Sequence, residues 1–162
     1  MQYRLALTLD AIARNPASER DDWWIIGSAA SWLSGMTEHT PRDVDLFGSR
    51  AAMCAFLDGF GIDDRPVDDD ALFVSDPYVR LPVAGGLDIE VQGDLAVRRD
   101  GKLVALSYDR RVPVTFAGLT FYVAPPKEQL RTFRLFGRKK DLKKAKMFKA
   151  LVNADRLTVP SA

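Results

Sequence analysis

Cysteine and histidine are nearly absent from this sequence of 162 residues, which contains one of each, Cys54 and His39. A single cysteine cannot form a disulfide within the chain, and a single histidine cannot build a histidine-based metal cluster. Cys54 falls in the apolar segment 51–57, which predicts a buried thiol on a helix rather than a nucleophile. His39 falls in a polar segment and is predicted to be a solvated loop residue.

Long hydrophobic runs and P-loop sequences are also missing. No apolar run approaches the roughly 20 residues of a membrane span, and Asp10 interrupts the N-terminal apolar segment, so we do not expect a signal peptide. The motif Gly-x-x-x-x-Gly-Lys-Ser/Thr does not occur, which removes support for P-loop ATP binding. With 47% hydrophobic residues and no linker or repeat, residues 1–162 are expected to form one domain. We expect a cytoplasmic protein without a membrane partner.

Positive charge is unevenly distributed, although the net charge is only +1. Residues 127–162 carry eleven Lys and Arg against three acidic residues, whereas residues 1–126 carry twelve basic and nineteen acidic residues. The two parts could simply attract each other, or the basic part could meet a triphosphate or a nucleic acid. The lysines of the last helix are spread around it, and most are interpreted as solvated, with Lys140 as an exception: Lys139, Lys143, Lys144, Lys146 and Lys149.

Two aspartates with one residue between them, Asp43 and Asp45, are the most informative feature that is present. Val44, Leu46 and Phe47 predict a strand here, and alternate side chains of a strand point to the same face. The two carboxylates would therefore lie on one face and repel each other at neutral pH unless a cation lies between them. Hard divalent ions such as Mg²⁺ are held by carboxylates together with substrate phosphates.

A glycine and a serine precede this pair, the glycine by sixteen residues. The segment 23–26 predicts a buried strand that runs into Gly27 and Ser28, and the segment 29–33 predicts a helix. Small residues at such a turn allow backbone N–H groups and the helix N-terminus to approach an anion. A phosphate-binding turn followed by a pair of metal-binding carboxylates is typical of enzymes that transfer phosphoryl or nucleotidyl groups.

The order of strand, Gly-Ser, helix, loop and Asp-x-Asp strand resembles the nucleotidyltransferase superfamily that includes DNA polymerase beta and the small antibiotic nucleotidyltransferases. That superfamily carries a further acidic residue on a later strand, and the segment 87–91 offers Asp88 and Glu90. Both would face the metal, while the apolar residues that alternate with them face the core. We favour Asp88 as the third carboxylate, because its shorter side chain holds a tighter geometry, and keep Glu90 as the alternative metal ligand.

The C-terminal part resembles the same superfamily. Residues 122–130 are similar to a strand that ends in a proline-containing helix start, and residues 137–142 are similar to the pattern Gly-Arg-x-Lys-Asp-Leu that opens the last helix. The resemblance therefore covers most of the chain. It implies that Arg134, Arg138 or Lys140 neutralises charge on a departing pyrophosphate.

The resemblance implies a reaction that uses Mg²⁺ or Mn²⁺ and a nucleoside triphosphate (NTP) as co-substrate. Two ions bridged by Asp43 and Asp45 would stabilise an in-line displacement, and Asp88 would complete the second metal site and accept the hydroxyl proton. Gly27 and Ser28 would hold the β- and γ-phosphates. The acceptor would be a hydroxyl of a small molecule or of a protein, as in antibiotic-modifying or toxin–antitoxin members.

Two other classes of function stay open at this point. The chain could be an inactive binding module that keeps the fold and acts through a partner protein, although its intact carboxylates argue against a decayed site. It could also bind DNA or RNA through its basic last helix. Steep salt dependence of binding to DNA or RNA would support that alternative. A nucleic acid is not favoured as the acceptor of an enzyme, because polymerases and RNA-tailing enzymes normally carry additional nucleic-acid-binding domains for which this chain has no room.

Hydrophobic periodicity predicts an α+β fold in which a mixed, twisted sheet is flanked by helices and followed by C-terminal helices. The acidic segment 63–70 is predicted to be a surface loop whose aspartates serve solvation rather than a second metal site. Predicted helices cover residues 3–14, a short stretch from 28, 50–58, 126–136 and 140–152, and predicted strands cover 23–26, 44–47, 78–83, 87–91, 112–116 and 119–123.

Overall fold

The computed structural model describes residues 2–153. Its helices are α1 (Gln2–Ala13), α2 (Gly27–Leu33), α3 (Arg50–Gly59), α4 (Pro126–Phe136) and α5 (Lys139–Asn153), with a 3-10 helix at Pro16–Glu19. Its strands are β1 (Trp23–Ile26), β2 (Asp43–Gly48), β3 (Asp68–Asp69), β4 (Phe73–Ser75), β5 (Tyr78–Leu81), β6 (Asp88–Gly93), β7 (Ala96–Arg99), β8 (Lys102–Ala105), β9 (Val112–Phe116) and β10 (Leu119–Val123).

The predicted α+β class is confirmed, and every predicted helix and strand is present with its ends within two residues of the expected positions. Met1 and residues 154–162, which the predicted domain includes, lie outside the described range. Within that range, no helix combines the length and the apolar composition needed to cross a membrane.

The large sheet brings distant parts of the sequence side by side. Among the described residues its strand order is β5-β6-β2-β1-β10-β9. β2 pairs antiparallel with β1 and parallel with β6, while β1 pairs parallel with β10. The sheet is therefore mixed, as predicted, and the Asp-x-Asp strand lies near its centre between the Gly-Ser strand and the later acidic strand.

A second, smaller sheet is not predicted from the sequence. It consists of β3, β4, β7 and β8, all paired antiparallel. These strands are only two to four residues long, too short to show a clear hydrophobic alternation. The one available signal was Asp100-Gly101, whose positive φ values of 49° and 74° form the turn between β7 and β8. An Asp-Gly pair between two short runs is a known hairpin signal.

The two faces of β2 separate the core from the polar side of the sheet. Val44 and Leu46 are fully buried in the main hydrophobic core, to which α1 and α3 also contribute. Asp43 and Asp45 point to the opposite face because they alternate with these residues. Phe47 shares that opposite face and belongs to a second apolar cluster with residues of β7 and α4. The second sheet and the C-terminal helices therefore cover the face that carries the aspartates.

The N-terminal helix fixes the chain just before β6, the strand that carries both candidate third carboxylates. The hydroxyl of Thr8, a fully buried residue, donates to the Leu87 carbonyl and accepts from the Leu87 N–H, both at 2.7 Å. The Arg4 guanidinium donates two hydrogen bonds to the Gly86 carbonyl, at 2.7 and 3.1 Å. These bonds hold the residue before β6 and so help to set the position of its acidic side chains.

We predict that Thr8→Val lowers the free energy of unfolding by about 1–3 kcal/mol. Valine keeps the shape of threonine but leaves the buried N–H and carbonyl of Leu87 without this partner. Thr8→Ser is the matched control, since it keeps the hydroxyl and loses only a methyl group, about 0.8 kcal/mol. Urea denaturation at one pH measures the difference, and a Thr8→Val protein as stable as the wild type would contradict this account.

Candidate active site

A cavity of about 360 Å³ lies on the face of the large sheet that carries Asp43 and Asp45. Residues of β1, β2, β5 and β6 form its floor, while the second sheet and the C-terminal helices form its walls. The lining combines carboxylates, cations and aromatic rings, namely Asp43, Asp45, Asp68, Asp70, Glu90, Asp141, Arg80, Arg138, Lys140, Lys144, Phe73, Tyr78, Phe133 and Phe136.

Three carboxylates line the floor of this cavity from two neighbouring strands. Asp43 and Asp45 project from β2, and the parallel register of β2 and β6 places Glu90 beside Asp45. The Gln92 side chain, also on β6, donates from Nε2 to Asp45 Oδ1 at 2.9 Å. As they stand, no three His, Cys, Asp or Glu side chains of residues 2–153 are grouped in an arrangement that could hold a metal ion.

The crowding of negative charge changes the acidity of these groups. Burial, followed by the charges of Asp43 and Glu90, raises the pKa of Asp45 from its ordinary 3.8 to about 8. Burial and the charge of Asp43 also raise the pKa of Glu90, against the opposing effect of Arg80. The protonated form of Asp45 is therefore favoured near neutral pH. Acids whose pKa values are displaced in this way are concentrated at functional sites.

Asp88 and Glu90 differ in position, although both lie on the same face of β6. Asp88 forms an ion pair with Arg80 at 2.9 Å and is not among the residues that line the cavity. Glu90 does line it, and its side chain is 16% exposed against 37% for Asp88. Arg80 also contacts Glu90, at 3.1 Å, so one guanidinium links the two acids. The structure therefore brings Glu90, rather than the favoured Asp88, into the cavity with Asp43 and Asp45.

Gly27 and Ser28 lie where β1 ends and α2 begins, directly against the carboxylates. Gly27 has a φ of +67°, a left-handed conformation that favours glycine. A Cβ at this position would lie 2.5 Å from Asp45 Oδ2, so a larger residue would collide with that carboxyl group. Ser28 is buried and lines the cavity. Both residues thus border the cavity, while their contact with phosphate stays a prediction.

The three cations selected from the sequence lie in different environments. Arg134 is exposed on α4 and does not line the cavity. Arg138 lines it, but its guanidinium donates to the buried Asp141 at 2.6 and 3.2 Å and lies over the Phe73 ring at 4.8 Å. Lys140 lines the cavity from the first turn of α5 and is exposed. The structure therefore brings Arg138 and Lys140 to the cavity and leaves Arg134 outside it.

Lys144, interpreted above as a solvated lysine, is half-buried and lines the cavity, so that interpretation is wrong. Its ammonium lies 5.9 Å from the centroid of the Phe133 ring. Lys144 follows Lys140 by one helical turn and shares its side of α5, whereas Lys143 and Lys146 are exposed. Lysines spread around a helix do not by themselves indicate which side faces inward.

The acidic segment 63–70 is more than a solvated loop. Asp68 belongs to β3 and lines the cavity. Asp70 also lines it, and its carboxylate accepts hydrogen bonds from the N–H groups of Leu72 and Phe73 at 2.6 and 2.5 Å. These bonds lower the pKa of Asp70. The loop prediction is therefore corrected at its C-terminal end, where the two aspartates give one wall of the cavity a negative charge.

Sequence reasoning also missed polar residues of the cavity floor. Gln92 follows Glu90 by two residues and so shares its face of β6, a signal that alternation alone supplies. Tyr78 and Arg80 come from β5, and Arg80 is the direct antiparallel partner of Glu90. Burial and the charge of Glu90 raise the pKa of Tyr78 to about 12. Their place in the cavity depends on strand pairing, which the sequence does not reveal residue by residue.

Two solved structures resemble this chain over most of its length. One is the crystal structure of a candidate nucleotidyltransferase from Thermotoga maritima, which is 18% identical, with a TM-score of 0.69 over 91% of each chain. The other is the solution structure of the antibiotic-resistance factor ANT(2'')-Ia, which is 13% identical, with a TM-score of 0.51 over 95% of this chain and 86% of that one. No protein-family model and no curated protein matches the chain. The structural likeness confirms that the chain has the nucleotidyltransferase fold, as the order of its motifs predicts.

Proposed function

We propose that this protein is a nucleotidyltransferase that transfers a nucleoside monophosphate from an NTP to a hydroxyl group and releases pyrophosphate. The observation that carries the proposal is the presence of Asp43, Asp45 and Glu90 in one cavity that the start of α5 lines with cations. Nucleotidyl transfer needs carboxylates to hold a divalent ion and cations to neutralise phosphate oxygens. The nucleotidyltransferase fold supports the same conclusion.

The donor set of the cavity fits Mg²⁺ or Mn²⁺, which both prefer oxygen ligands. The raised pKa values of Asp45 and Glu90 reflect burial and mutual repulsion of carboxylates, and a divalent cation is the kind of group that relieves such repulsion. Gly27 leaves the space beside Asp45 Oδ2 free of a side chain. We therefore assign metal binding to Asp43, Asp45 and Glu90. The bound metal would supply charge stabilisation for the attacking and leaving oxygens of an in-line displacement.

The remaining roles belong to groups around these carboxylates. We assign to Glu90 the acceptance of the proton from the attacking hydroxyl, since it is the β6 carboxylate that lines the cavity beside Asp45. The Ser28 hydroxyl and the backbone of Gly27 would contact phosphate oxygens. Arg138 and Lys140 would neutralise the charge that develops on the departing pyrophosphate.

The acceptor we propose is a hydroxyl of a small molecule or of a protein. The cavity volume of about 360 Å³ lies in the range of small-ligand sites, roughly 300–1,000 Å³. One structural neighbour is an antibiotic-resistance factor, which supports a small-molecule acceptor. A nucleic-acid acceptor is not favoured, because Asp68 and Asp70 on the wall of the cavity would repel a phosphate backbone.

Label transfer tests the proposal directly. The protein is incubated with each common NTP, labelled at the α-phosphate, together with Mg²⁺ or Mn²⁺ and either hydroxyl-bearing small molecules or cell lysate. Covalent label on an acceptor, accompanied by released pyrophosphate, is the expected result. A parallel incubation uses NTP labelled at the γ-phosphate, and transfer of that label to the acceptor would contradict nucleotidyl transfer.

We predict that NTP binding requires a divalent ion, because the carboxylates would otherwise repel the triphosphate. Calorimetry in Mg²⁺ and in EDTA measures this, and equal affinity in both would contradict it.

Asp43→Asn and Asp45→Asn should each lower transfer at least about a hundredfold, on the order of 2.7 kcal/mol, without unfolding the protein. Asp63→Asn is the matched control, since Asp63 is exposed and lies outside the cavity lining.

Neutral substitutions separate the two candidate third carboxylates. We predict that Glu90→Gln lowers kcat/KM at least about tenfold more than Asp88→Asn, a difference of about 1.4 kcal/mol, because Glu90 lines the cavity. The comparison is matched, since each substitution removes one ion pair with Arg80. A larger loss in Asp88→Asn would return the role of third carboxylate to Asp88.

The raised pKa of Asp45 predicts that stability depends on pH when divalent ions are absent. The ordinary pKa of this carboxyl group is 3.8, and its pKa in the folded protein is about 8. At a pH between these two values, the folded state holds a proton that the unfolded state has released. The free energy of unfolding therefore decreases as the pH rises through this window. Asp45→Asn lacks this proton, and denaturation from pH 4 to pH 8 should show the wild type losing stability relative to the variant. A stability difference that does not change with pH would refute the prediction.

A further inference from the structure

Lys144 brings a positive charge to the cavity that no acidic side chain of residues 2–153 neutralises in an ion pair. Arg138, by contrast, is held by Asp141 at 2.6 Å. Lys140 is exposed and therefore hydrated. Among these three cations, Lys144 alone combines partial burial with a charge that is not yet committed to a partner.

This position is unfavourable for an ammonium group unless an anion joins it. Burial lowers the pKa of Lys144, and the charges of Asp141 and Asp45 oppose that effect only in part. The ring of Phe133 lies 5.9 Å from the ammonium, close to the outer limit of a cation–π contact. A charged group that is partly removed from water is expected to pair with an opposite charge, and here a bound anionic ligand would supply that charge.

The geometry of α5 directs this lysine inward. Asp141, Lys144 and Phe148 are spaced by three and four residues, so they share one side of the helix. Asp141 and Phe148 are almost completely buried, which identifies that side as the inner one. Lys144 and Asp45 line the same cavity. A triphosphate held over the carboxylates would lie between that floor and Lys144.

We propose that Lys144 binds the phosphate chain of the nucleoside triphosphate. The inference rests on the proposed function and names the residue that recognises the anionic part of the substrate. An ammonium group forms charge-assisted hydrogen bonds with phosphate oxygens, and such bonds exist in the bound substrate as well as in the transition state. Removal of the charge should therefore raise KM more than it lowers kcat.

Binding isotherms with Mg²⁺ test this role on the full chain. Lys144→Met removes the charge and keeps a long side chain, and Lys143→Met is the matched control because Lys143 is exposed and outside the cavity lining. We expect Lys144→Met to weaken binding of NTP and of inorganic tripolyphosphate at least about tenfold, or 1.4 kcal/mol. Lys143→Met should leave both affinities essentially unchanged. The penalty should be smaller for a nucleoside monophosphate, which lacks the β- and γ-phosphates.

The outcomes separate this inference from the function on which it rests. A wild-type protein that binds no NTP with Mg²⁺ or Mn²⁺ would overturn the proposed function. A wild type that binds NTP, with unchanged affinity in Lys144→Met, would overturn the role of Lys144 alone. A lysine with a purely structural role would change the unfolding temperature of the free protein and leave the ratio of triphosphate to monophosphate affinity unaltered. If Lys144→Met does not fold, Lys144→Gln takes its place, and recovery of affinity in Lys144→Arg would support the charge contact.

Discussion

Repulsion between carboxylates on adjacent strands is the constraint around which this protein is arranged. Asp45 and Glu90 face each other across the β2–β6 pair, and neither can turn away, because the residues that alternate with them are fixed in the hydrophobic core. The protein reduces the repulsion with a proton on Asp45, an amide hydrogen bond from Gln92 and the guanidinium of Arg80 beside Glu90. Gln92 lies on β6, the strand that carries Glu90, and Arg80 lies on the neighbouring strand β5.

The same face of the large sheet also packs against the second sheet and the C-terminal helices, which cover it. One end of that face is apolar, where Phe47 packs against Trp24 and against Tyr108 in an edge-on contact of 5.7 Å. The second sheet and α4 meet through the rings of Phe73 and Phe136, 5.1 Å apart. The walls of the cavity are therefore positioned by aromatic contacts outside its acidic floor, so the floor can remain polar without loosening the fold.

Local patterns made much of the architecture and part of the site predictable. Alternation around Asp43 and Asp45 identified a strand and its polar face, and the small residues Gly27 and Ser28 identified the turn beside it. The choice between Asp88 and Glu90 was not available from the sequence, because both have the same alternation and their difference comes from pairing with β5. Lys144 was missed for a similar reason, since the inner side of α5 is defined by its contacts with α4, such as that between Phe148 and Phe133, rather than by its lysine spacing.

The proton on Asp45 has a consequence for the way the site is loaded. Because this carboxyl is protonated near neutral pH in the free protein, a cation that takes one of its oxygens as a ligand displaces that proton into the solvent. Uptake of the cation and release of the proton are then one linked equilibrium, and its heat includes the ionisation heat of the buffer. If the divalent cation that we propose binds here, it competes with the proton for Asp45, and a lower pH favours the proton.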